Sequence, residues 1–365
     1  MSSAHAWAPG RVNLIGEHTD YNQGLCLPVT IPAGTTVRAT RRDDDQWRLL
    51  SAQQTDPWTG RVADAAPGRV SGWAAYAAGV LWALTEAGHD LPGMDVEIDG
   101  DVPLGAGLSS SASLEAAVAI AACKLAGLDL NRALRRDLVA ICRRAESEVA
   151  GAPTGGLDQS AVLLVEPGAA LLLDFADGSA TNVPFPLADA GLRLIVIDTQ
   201  VSHAHSSGGY GDRRAECEAA AVTLGVESLR AADETSVAAL DDALLQRRAR
   251  HVVSENARVL RTVLAVAADD WSIVGDLFDA SHASMRDDFE ISCAELDLAV
   301  EAAVATGALG ARMTGGGFGG SAIALVPVER VDAVRQGVDA AFVRAGFRAP
   351  AHLDGTPSGP AVLRS

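Results

Sequence analysis

Residues 103–115 read Pro-Leu-Gly-Ala-Gly-Leu-Ser-Ser-Ser-Ala-Ser-Leu-Glu, and no other segment limits the possible folds as sharply. It follows Met94–Ile98, whose alternation of apolar and polar residues predicts a strand. It leads into Ser113–Leu125, an alanine-rich run with Leu114, Val118 and Leu125 at helical spacing. Strand, glycine-rich turn and helix in that order aim the free N–H groups of a helix N-terminus at whatever the loop encloses. Those groups and the partial positive charge of the helix end favour phosphate. Gly105 and Gly107 allow close backbone approach, and Ser109, Ser110 and Ser111 add hydroxyls, one of which suits a hard cation. A plain serine cap is the simpler reading, but two glycines and three serines exceed what a cap requires.

Three other segments set glycines beside groups that carry chemistry. In Pro9–Asn22, Glu17, His18 and Asp20 crowd behind Gly16, with Arg11 just before the apolar Val12, Leu14 and Ile15. Such a cluster suits a polyhydroxylated ligand or a metal, and otherwise a solvated polar turn. Arg11 needs a carboxylate partner if it is buried. Gly151–Gln159 places Asp158 after Gly155 and Gly156, as a general base at the edge of a core or as a helix cap. Glu146, upstream on a helix, reads most simply as solvent-exposed. Arg312–Gly320 holds five glycines in six positions and runs straight into the apolar strand Ser321–Val326, so it is anchored rather than a linker.

The remaining pattern is mixed. Thr35–Thr40, Gln46–Leu50, Ala169–Phe175 and Leu192–Asp198 read as strands. Trp73–Glu86 reads as a helix with one apolar face, Arg132–Ala150 as a second, and several follow between Asp212 and Thr306, with Arg330–Ala345 as the last. Gly310–Gly320 reads as a loop throughout. These elements predict two α+β domains, 1–189 and 190–365, meeting at a cleft.

Charge and cysteine usage narrow the function. Lys+Arg total 29 against Asp+Glu 47, for a net charge of -18. That excludes a broad basic surface for nucleic acid or an anionic membrane, yet leaves room for an anionic substrate held by backbone N–H groups. Lys124 is the only lysine, so there is no Walker-type phosphate clamp, and a Schiff-base mechanism is not expected. Five cysteines without a CxxC pair indicate neither a zinc site nor a disulfide framework. Met1–Gly10 lacks the features of a signal peptide and no run is long enough for a membrane helix, so a cytoplasmic location is expected.

Taken together, the segments resemble the galactokinase family of the GHMP small-molecule kinase superfamily. GRVNLIGEHTDYNQGLCLP is similar to the sugar-reading signature, PLGAGLSSSASLE to the ATP loop, and GARMTGGGFGGSAIAL to the third motif; GGLDQ, YGDRRAECE and DDFEISCAELD are also similar. The resemblance implies an S5-like N-terminal and a ferredoxin-like C-terminal domain with the active site between them. It implies transfer of the ATP γ-phosphoryl to the anomeric hydroxyl of α-D-galactose, with Mg²⁺ as cofactor and galactose and ATP as the partners. Glu17, His18, Asp20, Gly155 and Tyr210 would form the sugar pocket. Asp158 would be the catalytic carboxylate, and Arg11 would sit between it and the transferring phosphoryl. Gly105, Ala106, Gly107, Leu108, Ser109, Ser110 and Ser111 would wrap the phosphates, Ser111 and Glu146 would hold Mg²⁺, and Trp73 and Tyr76 would lie beside the adenine. Mevalonate and homoserine kinases lack the Glu-His-Thr-Asp cluster. Catalytically silent sugar sensors of this kind tend to alter the ATP-loop serines, which are intact here.

Overall fold

The computed structural model describes residues 2–152, 154–202 and 206–364, the side chains of 202 and 206–208 apart. The first half runs β1 (Ser3–Asn13), β2 (Leu25–Cys26), β3 (Pro28–Arg41), β4 (Trp47–Ser51), β5 (Trp58–Gly60), α1 (Trp73–Glu86), β6 (Met94–Gly100), α2 (Ser110–Leu125), α3 (Arg132–Arg144), α4 (Leu157–Leu164), β7 (Ala169–Asp174) and β8 (Ser179–Pro184). The second runs β9 (Leu192–Ser202), α5 (Ser206–Leu224), α6 (Glu234–Ala238), α7 (Ala243–Ala267), α8 (Trp271–Asp287), α9 (Ala294–Thr306), β10 (Gly310–Thr314), β11 (Gly319–Pro327), α10 (Val331–Ala345), β12 (Ala351–Asp354) and β13 (Val362–Leu363).

The α+β expectation holds. One six-stranded sheet has the order β13-β1-β3-β6-β4-β5, a four-stranded sheet the order β10-β11-β9-β12, and β2-β7-β8 form a third. The tail returns to the first sheet, because β13 pairs antiparallel with β1. Against the first sheet lie α1 and α2. Ala74, Ala75, Ala77, Ala78 and Val80 to Leu84 of α1 are buried, as are most of the alanines of α2. The single apolar face expected of α1 is therefore wrong: the helix is enclosed on nearly all sides. Alanine-rich surfaces make that possible, since small side chains let helices and sheet approach closely.

β1 joins fold to site. Its pairing with β3 shifts register between Pro9 and Gly10. A Cβ on Gly10 would meet the Leu108 carbonyl oxygen at 2.8 Å, so only glycine lets the strand dock on the 103–109 loop. Beyond the shift, Val12, Leu14 and Ile15 enter a core shared with Leu194, Val196, Val259, Phe278, Ile323 and Leu325 of the second half. Arg11 thus leaves a strand anchored in both halves of the molecule.

Two element readings change. Arg132–Ala150 is not one regular helix, because residues Ala145–Val149 form a π-helical turn. Gly310–Gly320 is not all loop: 310–314 is a strand, fully buried and paired with β11, leaving a short glycine turn between them.

Candidate active site

Arg11, Asp158 and Ser109 meet where β1, the 103–109 loop and α4 converge. Arg11 Nε and Nη2 both donate to Asp158 Oδ1, at 2.9 and 2.5 Å. Arg11 Nη1 donates to the Gly107 carbonyl at 2.7 Å, and the Arg11 backbone N–H to the Leu108 carbonyl at 3.1 Å. Ser109 Oγ donates to Asp158 Oδ2 at 2.5 Å. Asp158 sits in the first turn of α4, preceded by Gly156 with a φ of 94°, and its side chain keeps 23% exposure. Its two oxygens accept three bonds, and a carboxylate offers about four lone-pair sites, so capacity remains on the open side. The cap reading of Asp158 does not match this geometry, and Ser109 directs its hydroxyl at Asp158 rather than at the helix it precedes.

Next to this triangle lies a cavity of about 260 Å³, lined by Arg11, Asn13, Glu17, His18, Asp20, Thr154, Asp158, Tyr210 and Gly316 among others. His18 is buried, with Nδ1 at 2.8 Å from the Tyr21 hydroxyl and Nε2 at 3.1 Å from the Gly316 carbonyl. The carbonyl requires a donor, so Nε2 carries the proton and Nδ1 accepts from Tyr21. Burial pushes the imidazole down to about 3, which keeps it neutral. Its ring stands 5.0 Å from that of Tyr210 and 4.9 Å from that of Phe289.

Glu17 accepts four protein hydrogen bonds: from Asn13 Nδ2 (3.0 Å), Arg312 Nη2 (2.5 Å), Thr314 Oγ1 (3.3 Å) and the Gly315 N–H (2.9 Å). These occupy its lone pairs, so it ties the first loop to β10 and the glycine turn, and any ligand hydroxyl would share an oxygen already engaged. Asp20 faces Gly155 closely enough that a Cβ there would lie 2.3 Å from Asp20 Oδ2. Burial raises Asp20 to about 6, and the charge of Asp158 adds to the rise.

On the far side of Asp158, the hydroxyl of Ser111 lies close enough to the carboxylate of Glu146 to favour its charged form. Glu146 is 7% exposed, so the solvent-exposed reading fails. The π turn explains how a residue on a surface-looking helix is aimed inward, as such bulges do at functional sites. Burial pushes Glu146 up to about 7, with the charge of Asp158 adding, and the Ser111 hydroxyl and the Gln159 amide oppose it. Among the described residues, no three His, Cys, Asp or Glu side chains group to hold a metal alone. One hydroxyl and one carboxylate, lacking a cationic partner of their own, match the partial protein site that Mg²⁺ completes with nucleotide phosphates. The donor set therefore fits that ion.

Ser110 and Ser111 also line a cavity of about 330 Å³ with Trp73, Tyr76, Val102, Leu104, Leu114, Gln53 and Gln54. It is an apolar slot with amide edges at the end of the 103–109 loop, of the kind that takes a flat base.

The chain is similar to known proteins over nearly its whole length. The family model described as GHMP kinases N terminal domain matches residues 75–165, GHMP kinases C terminal matches 262–344, and Galactokinase galactose-binding signature matches 2–41. A Streptomyces coelicolor galactokinase is 51% identical over 360 residues, covering 96% of this chain and 92% of the relative. The chain belongs to the galactokinase family. A Mycobacterium tuberculosis galactokinase is 47% identical over 348 residues, covering 94% of each chain. The crystal structure of Lactococcus lactis galactokinase complexed with galactose superposes with a TM-score of 0.92 at 32% identity, covering 99% of this chain and 95% of that one. A Methanococcus jannaschii mevalonate kinase shares the fold alone, at a TM-score of 0.73 and 15% identity. The two-domain GHMP architecture is thereby established for this chain.

Within that family fold, sequence reasoning passed over several site residues. Arg312 is fully buried and reaches from β10 to Glu17, Asn13 and Leu14. Glu255 on α7 accepts from the Gly16 N–H at 2.9 Å and Ser281 at 2.6 Å, and pairs with Arg258. The arginines and those bonds outweigh burial and bring Glu255 down to about 2. Its signal was faint, a charged residue within the apolar stripe of a long helix. Arg312 stood in a quoted motif, beside the glycines that drew notice instead.

Proposed function

We propose that this chain transfers the γ-phosphoryl group of ATP to the anomeric hydroxyl of α-D-galactose, giving galactose 1-phosphate and ADP. The observation that carries the reading is the Arg11–Asp158–Ser109 triangle, which joins the polar cavity to the phosphate loop.

Glu17, His18, Asp20, Gly155 and Tyr210 form the sugar wall. The neutral Nε2–H of His18 is committed to Gly316, so His18 shapes the wall together with Tyr21 and Tyr210, whereas Asp20 lines the cavity and presents its carboxylate to a hydroxyl. Asp158 takes the proton of the attacking hydroxyl as the sugar O–P bond forms and the bond to the β–γ bridging oxygen breaks, so the pair leaves with ADP. Arg11 holds Asp158 in place and puts positive charge beside the phosphoryl oxygens. Phosphoryl transfer depends on this positioning and charge neutralisation more than on covalent help.

Gly105, Ala106, Gly107, Leu108, Ser109, Ser110 and Ser111 lie along the phosphates, with the α2 N-terminus behind them. Ser109 contributes backbone there, because its hydroxyl is on Asp158. Ser111 and Glu146 would hold Mg²⁺, which supplies further positive charge to the phosphate oxygens. We place the domain boundary near Asp189. No helix among the described residues is long and apolar enough to cross a membrane, and the cysteines are unpaired. That suits a reducing compartment and so supports the cytoplasmic reading.

The test is ADP release with ATP and Mg²⁺ across galactose, N-acetylgalactosamine, glucose, arabinose and talose, with mevalonate and homoserine as controls. Turnover on galactose above the rest supports the reading. Preference for another sugar moves the specificity, and galactose binding without any turnover overturns the assignment of Asp158 and Arg11.

A further inference from the structure

Behind the Ser111–Glu146 pair lies a dry arrangement that no step above uses. Gln159, fully buried on α4, donates through Nε2 to Glu146 Oε2 at 2.6 Å and to Glu115 Oε2 at 3.1 Å. Glu115, fully buried on α2, has its other oxygen Oε1 without a partner, as does Gln159 Oε1. Each Gln159 amide hydrogen thus serves one carboxylate, and one amide fixes two acidic groups drawn from different helices. A plain packing role does not explain a buried carboxylate whose one protein partner is an amide that itself grips a site residue.

We infer that Gln159 is a positioning residue for Glu146, and that Glu115 orients Gln159 in turn. This rests on the reading of Glu146 as a metal ligand. The bond engages Glu146 Oε2 and leaves Oε1 for the cation. Without it, Glu146 can turn back along the π turn and the metal loses its one carboxylate. Partners that orient a ligand in this way typically change metal affinity by ~10–100-fold when removed.

The test is Mn²⁺ binding to the full chain in the presence of ADP, followed by electron paramagnetic resonance, alongside calorimetric galactose binding. Gln159→Met removes the amide at similar length. Gln159→Leu removes the amide with a shorter apolar side chain, and serves if the first variant fails to fold. Either folded variant is expected to weaken Mn²⁺·ADP about 10–100-fold while galactose affinity stays within about twofold. Glu115→Gln, which keeps an oxygen for Gln159 Nε2 to donate to, is expected to bind Mn²⁺·ADP like the parent, and Glu115→Leu more weakly. Glu146→Ala separates the two ideas. If it leaves Mn²⁺ affinity unchanged, the ligand reading of Glu146 fails. If it weakens Mn²⁺ but a folded Gln159 variant does not, the inference about Gln159 is overturned.

Discussion

The two sides of Asp158 differ in how their charges are met. On the sugar side, Glu17 has Arg312, Glu255 has Arg258 with Arg312 at 3.6 Å, and His18 is neutral with both ring nitrogens engaged. On the phosphate side, Glu146 and Glu115 share a single amide, and Glu115 keeps an orphan oxygen. Asp20 apart, which burial raises and which has no ion-pair partner among the described residues, the same acidic composition therefore builds a finished wall and an unfinished one. A neutral sugar needs a rigid set of donors and acceptors in advance, and paired charges hold it still. A metal–nucleotide brings its own cation, so uncompensated carboxylates there are met on binding. Both loops store strain as well: His18 and Ser109 hold positive φ values of 60° and 59°, each costing about 1–2 kcal/mol and tolerated because neighbours fix them.

The largest expected effect falls on the group between the two walls. Asp158→Asn should lower kcat by ~10²–10⁴-fold, about 3–5 kcal/mol of transition-state stabilisation, while galactose still binds. Near-normal turnover in a folded variant would remove Asp158 from the chemistry. Arg312→Met attacks the finished wall instead. It leaves Glu17 buried without its cation, and chemical denaturation should report a loss of about 3–5 kcal/mol, whereas Glu146→Ala should cost little stability. Equal losses from both would erase the contrast.

Ser109→Ala should remove about 1.5–3 kcal/mol of support for Asp158, read as kcat, with KM for galactose little changed. Ser109→Gly should lose the same kcat but retain more stability, because glycine accepts the positive φ. Gly155→Ala should push Asp20 aside and raise KM for galactose on the order of tenfold, or ~1.4 kcal/mol.

The smallest effect is on pH. Asp20 near 6 and Glu146 near 7 are both raised, and both act ionised, so kcat/KM should climb between about pH 5.5 and 7.5 and then level. His18, near 3, should add no limb. A raised carboxyl stabilises the fold fully below its unfolded value and loses that contribution as pH rises through its folded value. In the metal-free protein Asp20 and Glu146 favour pH 5.5 over pH 7.5, while His18 and His251, both held low by burial, favour pH 7.5; Mg²⁺ with nucleotide, which needs the ionised carboxylates, should therefore raise the melting temperature more at pH 7.5 than at pH 5.5.

Much of this site was legible because glycine-rich loops announce themselves. Gly105, Gly107, Gly155 and Gly156 mark turns that few other residues permit, and Glu17, His18 and Asp20 stand together in the chain. What stayed hidden acts across distance. Glu115 and Gln159 lie among ordinary helical residues, and only the packing of α2 on α4 brings them together. Glu146 looked exposed because a regular helix was assumed, and the π turn at Ala145–Val149 has no clear mark in its composition. β1 escaped notice for a related reason: its buried face is Ala4, Ala6 and Ala8, too small to give a strong alternation.

A sugar wall that is complete before the nucleotide arrives should bind galactose without it. Calorimetric titration of galactose into protein free of metal and nucleotide tests this directly. Binding is expected with an affinity within a few-fold of that measured alongside Mg²⁺ and a non-hydrolysable ATP analogue. Galactose that binds only after the nucleotide, or not at all, would contradict it.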